Sequence, residues 1–171
     1  GSYGVSLMND CKYGYSMKNR VMTQTLIKSG TEPNLTADQE EHFFTYALYP
    51  HAGTWREAGT EQEALNLNVP VKAISGAPEK DRREFLSVDR RNVVLETVKK
   101  AENGDGIIVR LYEVENARTK VTLHCDETIL SAEETDLLEN PIEGAIAVKE
   151  NEISFTIKPY EIRTIRIRTQ K

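Results

Sequence analysis

The chain has 171 residues, of which 39% are hydrophobic and 29% charged, with a net charge of −5. This is the composition of a soluble globular protein long enough for one large or two small domains. No basic block marks a nucleic-acid partner, and the apolar runs are far too short to span a bilayer. The two cysteines, Cys11 and Cys125, fall in different halves of the chain. They cannot build a disulfide scaffold or a Cys-rich zinc site, and they read as reduced thiols of a cytoplasmic protein. Gly1-Ser2 looks like the remnant of a cleaved tag, so the natural start is expected upstream of Tyr3.

Residues 3–9 (YGVSLMN) alternate loosely and predict a strand. Lys12 to Asn19 is rich in turn formers. Residues 20–29 carry Val21 and Ile27 on one parity and Met22 and Leu26 on the other, the pattern of a strand covered on both sides. Gly30 to Asp38 reads as a loop. Residues 41–49 (EHFFTYALY) predict the strongest strand of the first half, ended by Pro50. A helix follows, with capping-box spacing at Thr54 and Glu57 and again at Thr60 and Glu63, and with Ala58, Gln62 and Leu65 on one face. Gly59 costs about 1 kcal/mol relative to Ala inside a helix, so a short or interrupted one is expected, stopped by Asn68 and Pro70.

A domain junction is expected near residues 76–84, around Gly76, Pro78 and the charged string EKDRRE, dividing the chain into domains 1–76 and 77–171. The second half then reads as about seven strands, at 93–101, 106–114, 120–125, 129–137, 146–148, 152–158 and 161–168. Asn-Gly and Asp-Gly in residues 102–106 are the strongest short hairpin signal. In ISFTI, Ile153, Phe155 and Ile157 should face in and Ser154 and Thr156 out. In the last strand Ile165 and Ile167 should face in and Arg166 and Arg168 out. No helical patterns stand between these strands, so a parallel α/β sheet is excluded and an antiparallel sandwich is predicted.

Few motifs carry recognisable chemistry. The three histidines, His42, His51 and His124, show no metal-ligand spacing. No Gly-x-Ser-x-Gly elbow or phosphate-binding loop is present. Acidic side chains cluster at Asp38, Glu40 and Glu41 and at Glu133, Glu134 and Asp136; the second cluster reads as a solvated loop. The most specific run is Asn9-Asp10-Cys11-Lys12-Tyr13-Gly14-Tyr15, which places amide, carboxylate, ammonium and phenol together at a strand end. Such groups recognise sugar hydroxyls; they also serve to bond the turn's own backbone.

Leu7 to Gly14, Ala37-Asp38, His42 through His51 and Trp55 to Gly59 resemble the C-terminal β region of the glycoside hydrolase family 38 α-mannosidases, in the bacterial and cytosolic branch. Residues 92–113, 134–139 and 154–167 resemble its terminal β domain. Lys28 stands where that family usually has arginine, and a lysine offers a point charge in place of a bidentate fork. The resemblance implies a mainly all-β chain: the end of a galactose-mutarotase-like β-supersandwich with one short helix, then an antiparallel immunoglobulin-like β-sandwich. It implies a parent enzyme that removes terminal α-linked mannose with retention. The catalytic groups and zinc would lie in an N-terminal α/β barrel outside this chain, followed by a helical domain, so the chain alone would be inactive, without cofactor or catalytic residue. Partners would be those domains and a mannose-containing glycan. Asn9, Asp10, Lys12, Tyr13, Lys28, Asp38 and His42 are the candidates for the rim of its sugar pocket. The surplus apolar faces of residues 3–70 are expected to be buried in a homodimer. The competing readings are an independent carbohydrate-binding module and a protein-interaction sandwich. Trp55, the only tryptophan, sits at a helix start, which speaks against the planar aromatic row of the former.

Overall fold

Strand dominates the computed structural model, which describes residues 1–76 and 83–170, with the side chains of 143–145 left aside. The chain divides into two units, Gly1–Ser75 and Gly76–Lys171. The charged string at 79–84 falls largely on 77–82, outside the described residues.

The first unit contains β1 (Tyr3–Asn9), β2 (Gly14–Lys18), β3 (Val21–Thr25), β4 (Tyr46–Ala52) and α1 (Thr60–Asn68). β1 pairs antiparallel with β4, from Tyr3 opposite Ala52 to Asn9 opposite Tyr46. β2 and β3 form a separate hairpin. The turn-rich segment Lys12 to Asn19 therefore holds a strand. Only Asn19 and Arg20 turn, both at positive φ (51° and 65°), in the mirror-image two-residue geometry whose twist suits a hairpin. Arg20 carries no turn signal, which hid this hairpin. The strand expected at 20–29 is confined to Val21–Thr25, and its two-sided cover is not supplied by the described residues: Val21 is 58% exposed and Met22, on the other face, 38%. The strand expected at 41–49 starts only at Tyr46 and runs through Pro50. Among the described residues β4 has a partner on one side alone, so a residue without an N–H on its outer edge breaks no ladder bond.

The first capping box forms. The Thr54 N–H donates to the Glu57 carboxylate at 2.7 Å, and the Glu57 N–H donates to Thr54 Oγ1 at 3.3 Å. It heads a single turn, because Gly59 adopts the left-handed conformation (φ 64°). The Thr60 N–H then bonds the Trp55 carbonyl and the Gly59 N–H the Arg56 carbonyl, closing the turn as a Schellman motif. α1 begins only at Thr60 and has no side-chain cap, so the second expected box is not made. No described residue of this unit is buried. Two two-stranded sheets and one short helix are too few to enclose a core.

The second unit contains β5 (Leu86–Val88), β6 (Val93–Lys100), β7 (Ile107–Glu113), β8 (Thr119–Cys125), β9 (Thr128–Thr135), β10 (Pro141–Ala145), β11 (Val148–Lys149), β12 (Glu152–Ile157) and β13 (Ile162–Gln170). They form an antiparallel sandwich with strand orders β10-β9-β13-β7-β6 and β11-β12-β8-β5. Val109, Leu111, Ile165 and Ile167 of one sheet and Val121, Leu123, Ile153 and Ile157 of the other are all fully buried. Alternation in ISFTI is as expected. The hairpin at 102–106 forms; a Cβ on Gly106 (φ 93°) would stand 2.6 Å from the Ile167 carbonyl oxygen. β5 and β10 escaped the sequence pattern: β5 is three residues long, and β10 opens on proline and is irregular against β9.

One expectation about charge fails, and one side chain that faces outward as expected is nevertheless buried. Arg166 faces away from the core, yet it is 5% exposed, because the turn between β9 and β10 lies over that face and the Glu139 carbonyl accepts from Arg166 Nη2 at 2.9 Å. Glu133 and Glu134 belong to β9 rather than to a solvated loop. Glu133 pairs with Arg166 and Arg168, each at 3.1 Å, and Glu134 with Arg163.

Candidate functional site

β1 ends where its side chains begin to compete for the backbone. Asn9 Oδ1 accepts from the Cys11 N–H at 3.0 Å and from the Lys12 N–H, an Asx turn that bends the chain out of the sheet. Its Nδ2 donates to the Tyr15 hydroxyl, which donates on to the Lys12 carbonyl at 2.7 Å. Asp10 extends the β1–β4 pairing by one step: its N–H donates to the Thr45 carbonyl at 3.2 Å, and its carboxylate accepts from the Thr45 N–H at 3.0 Å. The Thr45 amide, then the Cys11 thiol, hold the Asp10 carboxyl below its ordinary pKa. The same contact with Asp10 pushes the exposed Cys11 thiol up, away from nucleophilic thiolate. Lys12 Nζ lies 4.7 Å from the centroid of the Phe44 ring, a cation–π contact. Asn68, at the end of α1, donates to the Asn9 carbonyl at 3.2 Å and so ties the helix to this corner.

Asn9, Asp10, Lys12 and Tyr13 thus occupy one corner, and Tyr13 projects from it at 92% exposure. Asp38 and His42 form a second group: His42 Nε2 lies 3.0 Å from the Asp38 carbonyl oxygen, and Asp38 sits at a positive φ of 56°. The chain runs from His42 straight into Phe44 and Thr45, so both groups are delivered to the same end of the β1–β4 pair. Lys28 lies exposed beyond the end of β3. The run Asn9 to Tyr15 was visible in the sequence, but Phe44 and Thr45 were not singled out as parts of this corner. Phe44 and Thr45 reach it by cross-strand pairing between residues far apart in sequence, and no local pattern announces that.

A second polar cluster joins β1, β4 and α1. Ser6 Oγ lies 3.1 Å from His51 Nε2 and 3.0 Å from Thr60 Oγ1. Gly4 makes it possible, because a Cβ there would stand 2.4 Å from the His51 ring. The distance is that of a nucleophile and its base, but His51 Nδ1 faces the Ala52 carbonyl at 3.3 Å rather than a carboxylate. The cluster is a strut. Among the described residues no three His, Cys, Asp or Glu side chains converge on one point, so this donor set does not fit a zinc ion. No helix among them is long and apolar enough to cross a membrane.

Residues 92–165 match the glycosyl hydrolases family 38 C-terminal beta sandwich domain. Over 170 residues, 95% of its length, the chain is 36% identical to alpha-mannosidase 2C1 of Homo sapiens. Residues 92–165 therefore carry the C-terminal sandwich domain of glycosyl hydrolase family 38. It is also 32% identical over 176 residues to alpha-mannosidase G of Dictyostelium discoideum. The chain spans 16% of the length of each of these relatives. The fold is shared with a crystal structure of a family 38 protein from Enterococcus faecalis, at a TM-score of 0.73 and 22% identity, over 97% of this chain and 21% of that one.

Proposed function

We propose that this chain is the C-terminal β region of an α-mannosidase that releases terminal α-linked mannose with retention, and that the chemistry is carried by parts of the parent protein outside it. The observation that carries this reading is the near full-length match of the chain to proteins named α-mannosidase. A retaining glycosidase needs two carboxylates about 5–5.5 Å apart across the scissile bond. We assign neither to this chain, and we place the zinc in the parent's catalytic domain, since no donor set fits it among the described residues. Gly1–Ser75 is the end of the parent's central supersandwich. Its sheet faces, none of them buried among the described residues, support cover by the preceding domains or by a second copy. The strand-end corner at Asn9, Asp10, Lys12 and Tyr13, with Lys28, Asp38 and His42, supplies rim groups for a mannose-containing glycan. Two free cysteines in separate units support a cytoplasmic setting.

The test is turnover of an aryl α-mannoside by the parent protein and by this chain, with the first-formed anomer read by NMR. The parent should release α-mannose and the chain should be inactive. A parent without α-mannosidase activity, or turnover by the chain alone, refutes the proposal.

A further inference from the structure

The turn between β9 and β10 spends many polar contacts on holding five residues. The Asp136 carboxylate accepts from the Leu138 N–H at 2.8 Å, the Asn140 N–H at 2.9 Å and Asn140 Nδ2 at 3.0 Å. The backbone closes the same loop, with the Asp136 N–H on the Asn140 carbonyl at 2.9 Å and the Glu139 N–H on the Asp136 carbonyl at 3.1 Å. Glu139, at a positive φ of 68°, then pins the turn onto the outer face of the sheet. Its carboxylate accepts from Lys99 Nζ and from the Glu102 N–H, each at 2.8 Å. Arg166 holds its carbonyl, and Arg110 Nη2 holds the Leu137 carbonyl at 3.2 Å.

This rigid frame presents two adjacent leucines to solvent, Leu137 at 58% exposure and Leu138 at 82%. Ile162, also exposed, stands on the same face of β13 as Thr164, the residue that Arg110 Nε bonds beside the turn. Nothing in the sandwich core uses these side chains. Polar residues would satisfy the turn equally well, so its leucines are not explained by the fold. A preordered apolar protrusion loses little freedom on docking, and that is what makes it an effective anchor.

We propose that Leu137 and Leu138 form a preformed plug that seats in an apolar recess on another domain of the parent polypeptide. The occupant is set by chain length: the sandwich belongs to a family whose relatives here are mostly outside the aligned segment, with 16% of their length covered. The proposal rests on the reading of this chain as part of such a longer protein. It adds which surface of the sandwich makes the contact.

The experiment is hydroxyl-radical footprinting with mass spectrometry on the full-length parent and on the 171-residue chain. Leu137 and Leu138 should oxidise readily in the chain and be several-fold protected in the parent, at every protein concentration. The double substitution Leu137→Asp, Leu138→Asp should lower the parent's melting temperature by several degrees and leave the chain's own unfolding unchanged. Equal oxidation in both proteins overturns the proposal, since the leucines then face water. Protection that vanishes when the parent is diluted to monomer, or that appears in the chain as it is concentrated, also overturns it, because the occupant is then a second copy. Activity on an aryl α-mannoside is read separately, so a failure of the mannosidase reading leaves a different signature.

Discussion

Glu113 ends β7 as a 2% exposed carboxylate, and the sandwich is closed around it. Oε1 accepts from Asn92 Nδ2 at 2.9 Å and from the Glu115 N–H at 2.8 Å, and Oε2 accepts from the Tyr160 N–H at 3.0 Å. Burial pushes this carboxyl up, but the amides of Tyr160, Asn92 and Glu115 outweigh burial and hold its pKa below the ordinary glutamate value of 4.5. The perturbation is Glu113→Ala. Each hydrogen bond to a charged acceptor is worth about 1.5–3 kcal/mol, and two backbone donors lose their partner. Asn92 keeps Thr119 Oγ1 at 2.7 Å, so the expected loss is about 3–5 kcal/mol rather than the full sum. At about 4–8 °C per kcal/mol for a domain of this size, the melting temperature should fall by about 12 °C or more. Glu113→Gln keeps the shape and one acceptor oxygen but turns an NH₂ against a backbone N–H, at a cost of about 2 kcal/mol. The sole tryptophan lies in the other unit, so unfolding is best followed by far-UV circular dichroism. The pH dependence gives the sign. A depressed folded-state pKa contributes stability that is present above the unfolded value of 4.5 and is lost as pH falls through the folded value. The wild type should therefore converge on Glu113→Gln as pH drops below 4.5. A difference at neutral pH under about 1 kcal/mol, or one that does not shrink in acid, refutes the reasoning.

Arg166→Ala should destabilise the sandwich by about 2–3 kcal/mol, because the Glu139 carbonyl loses its donor and Glu133 keeps only Arg168; urea unfolding at neutral pH measures it, and a change near zero would show that the buried guanidinium is dispensable. Asp10→Asn in the parent separates two roles of the strand-end corner. If Asp10 binds glycan, kcat/KM falls while the melting temperature holds; if it only staples Thr45, the melting temperature falls and the folded fraction keeps its kinetics.

Legibility followed burial. β12 and β13 were plain in the sequence because a packed face imposes strict alternation, and Ile153, Phe155, Ile157, Ile165 and Ile167 obey it. The hairpin at 102–106 was plain because its glycines are forced: Gly106 approaches the Ile167 carbonyl too closely for any Cβ. Where no core imposes a period, the pattern misled. Residues 20–29 and 41–49 are apolar on both parities, yet the strands are shorter and shifted, and Val21, Met22, Phe43 and Leu48 stay exposed. Arg166 shows the converse: the alternation holds, but the turn between β9 and β10 covers the outer face, and no local period encodes that.

The candidate site follows the same logic. Side-chain types at Asn9, Asp10, Lys12 and Tyr13 were visible, but their partners were not, and the partners separate their roles. Asn9 uses its amide on the turn itself, Asp10 uses its carboxylate on Thr45, and Lys12 lies against Phe44. Tyr13 projects outward at 92% exposure, and Asp38 meets His42 through its carbonyl rather than its carboxylate. Asn9 and Asp10 are therefore best suited to setting the corner's shape, with Tyr13 and Asp38 presented from it. A corner fixed by ladder bonds, in a unit with no buried residue among those described, gains rigidity only when its apolar faces are covered. Binding groups must be held to within about 0.5 Å to act, so Asp10→Asn has to be measured in the parent protein rather than in the chain alone.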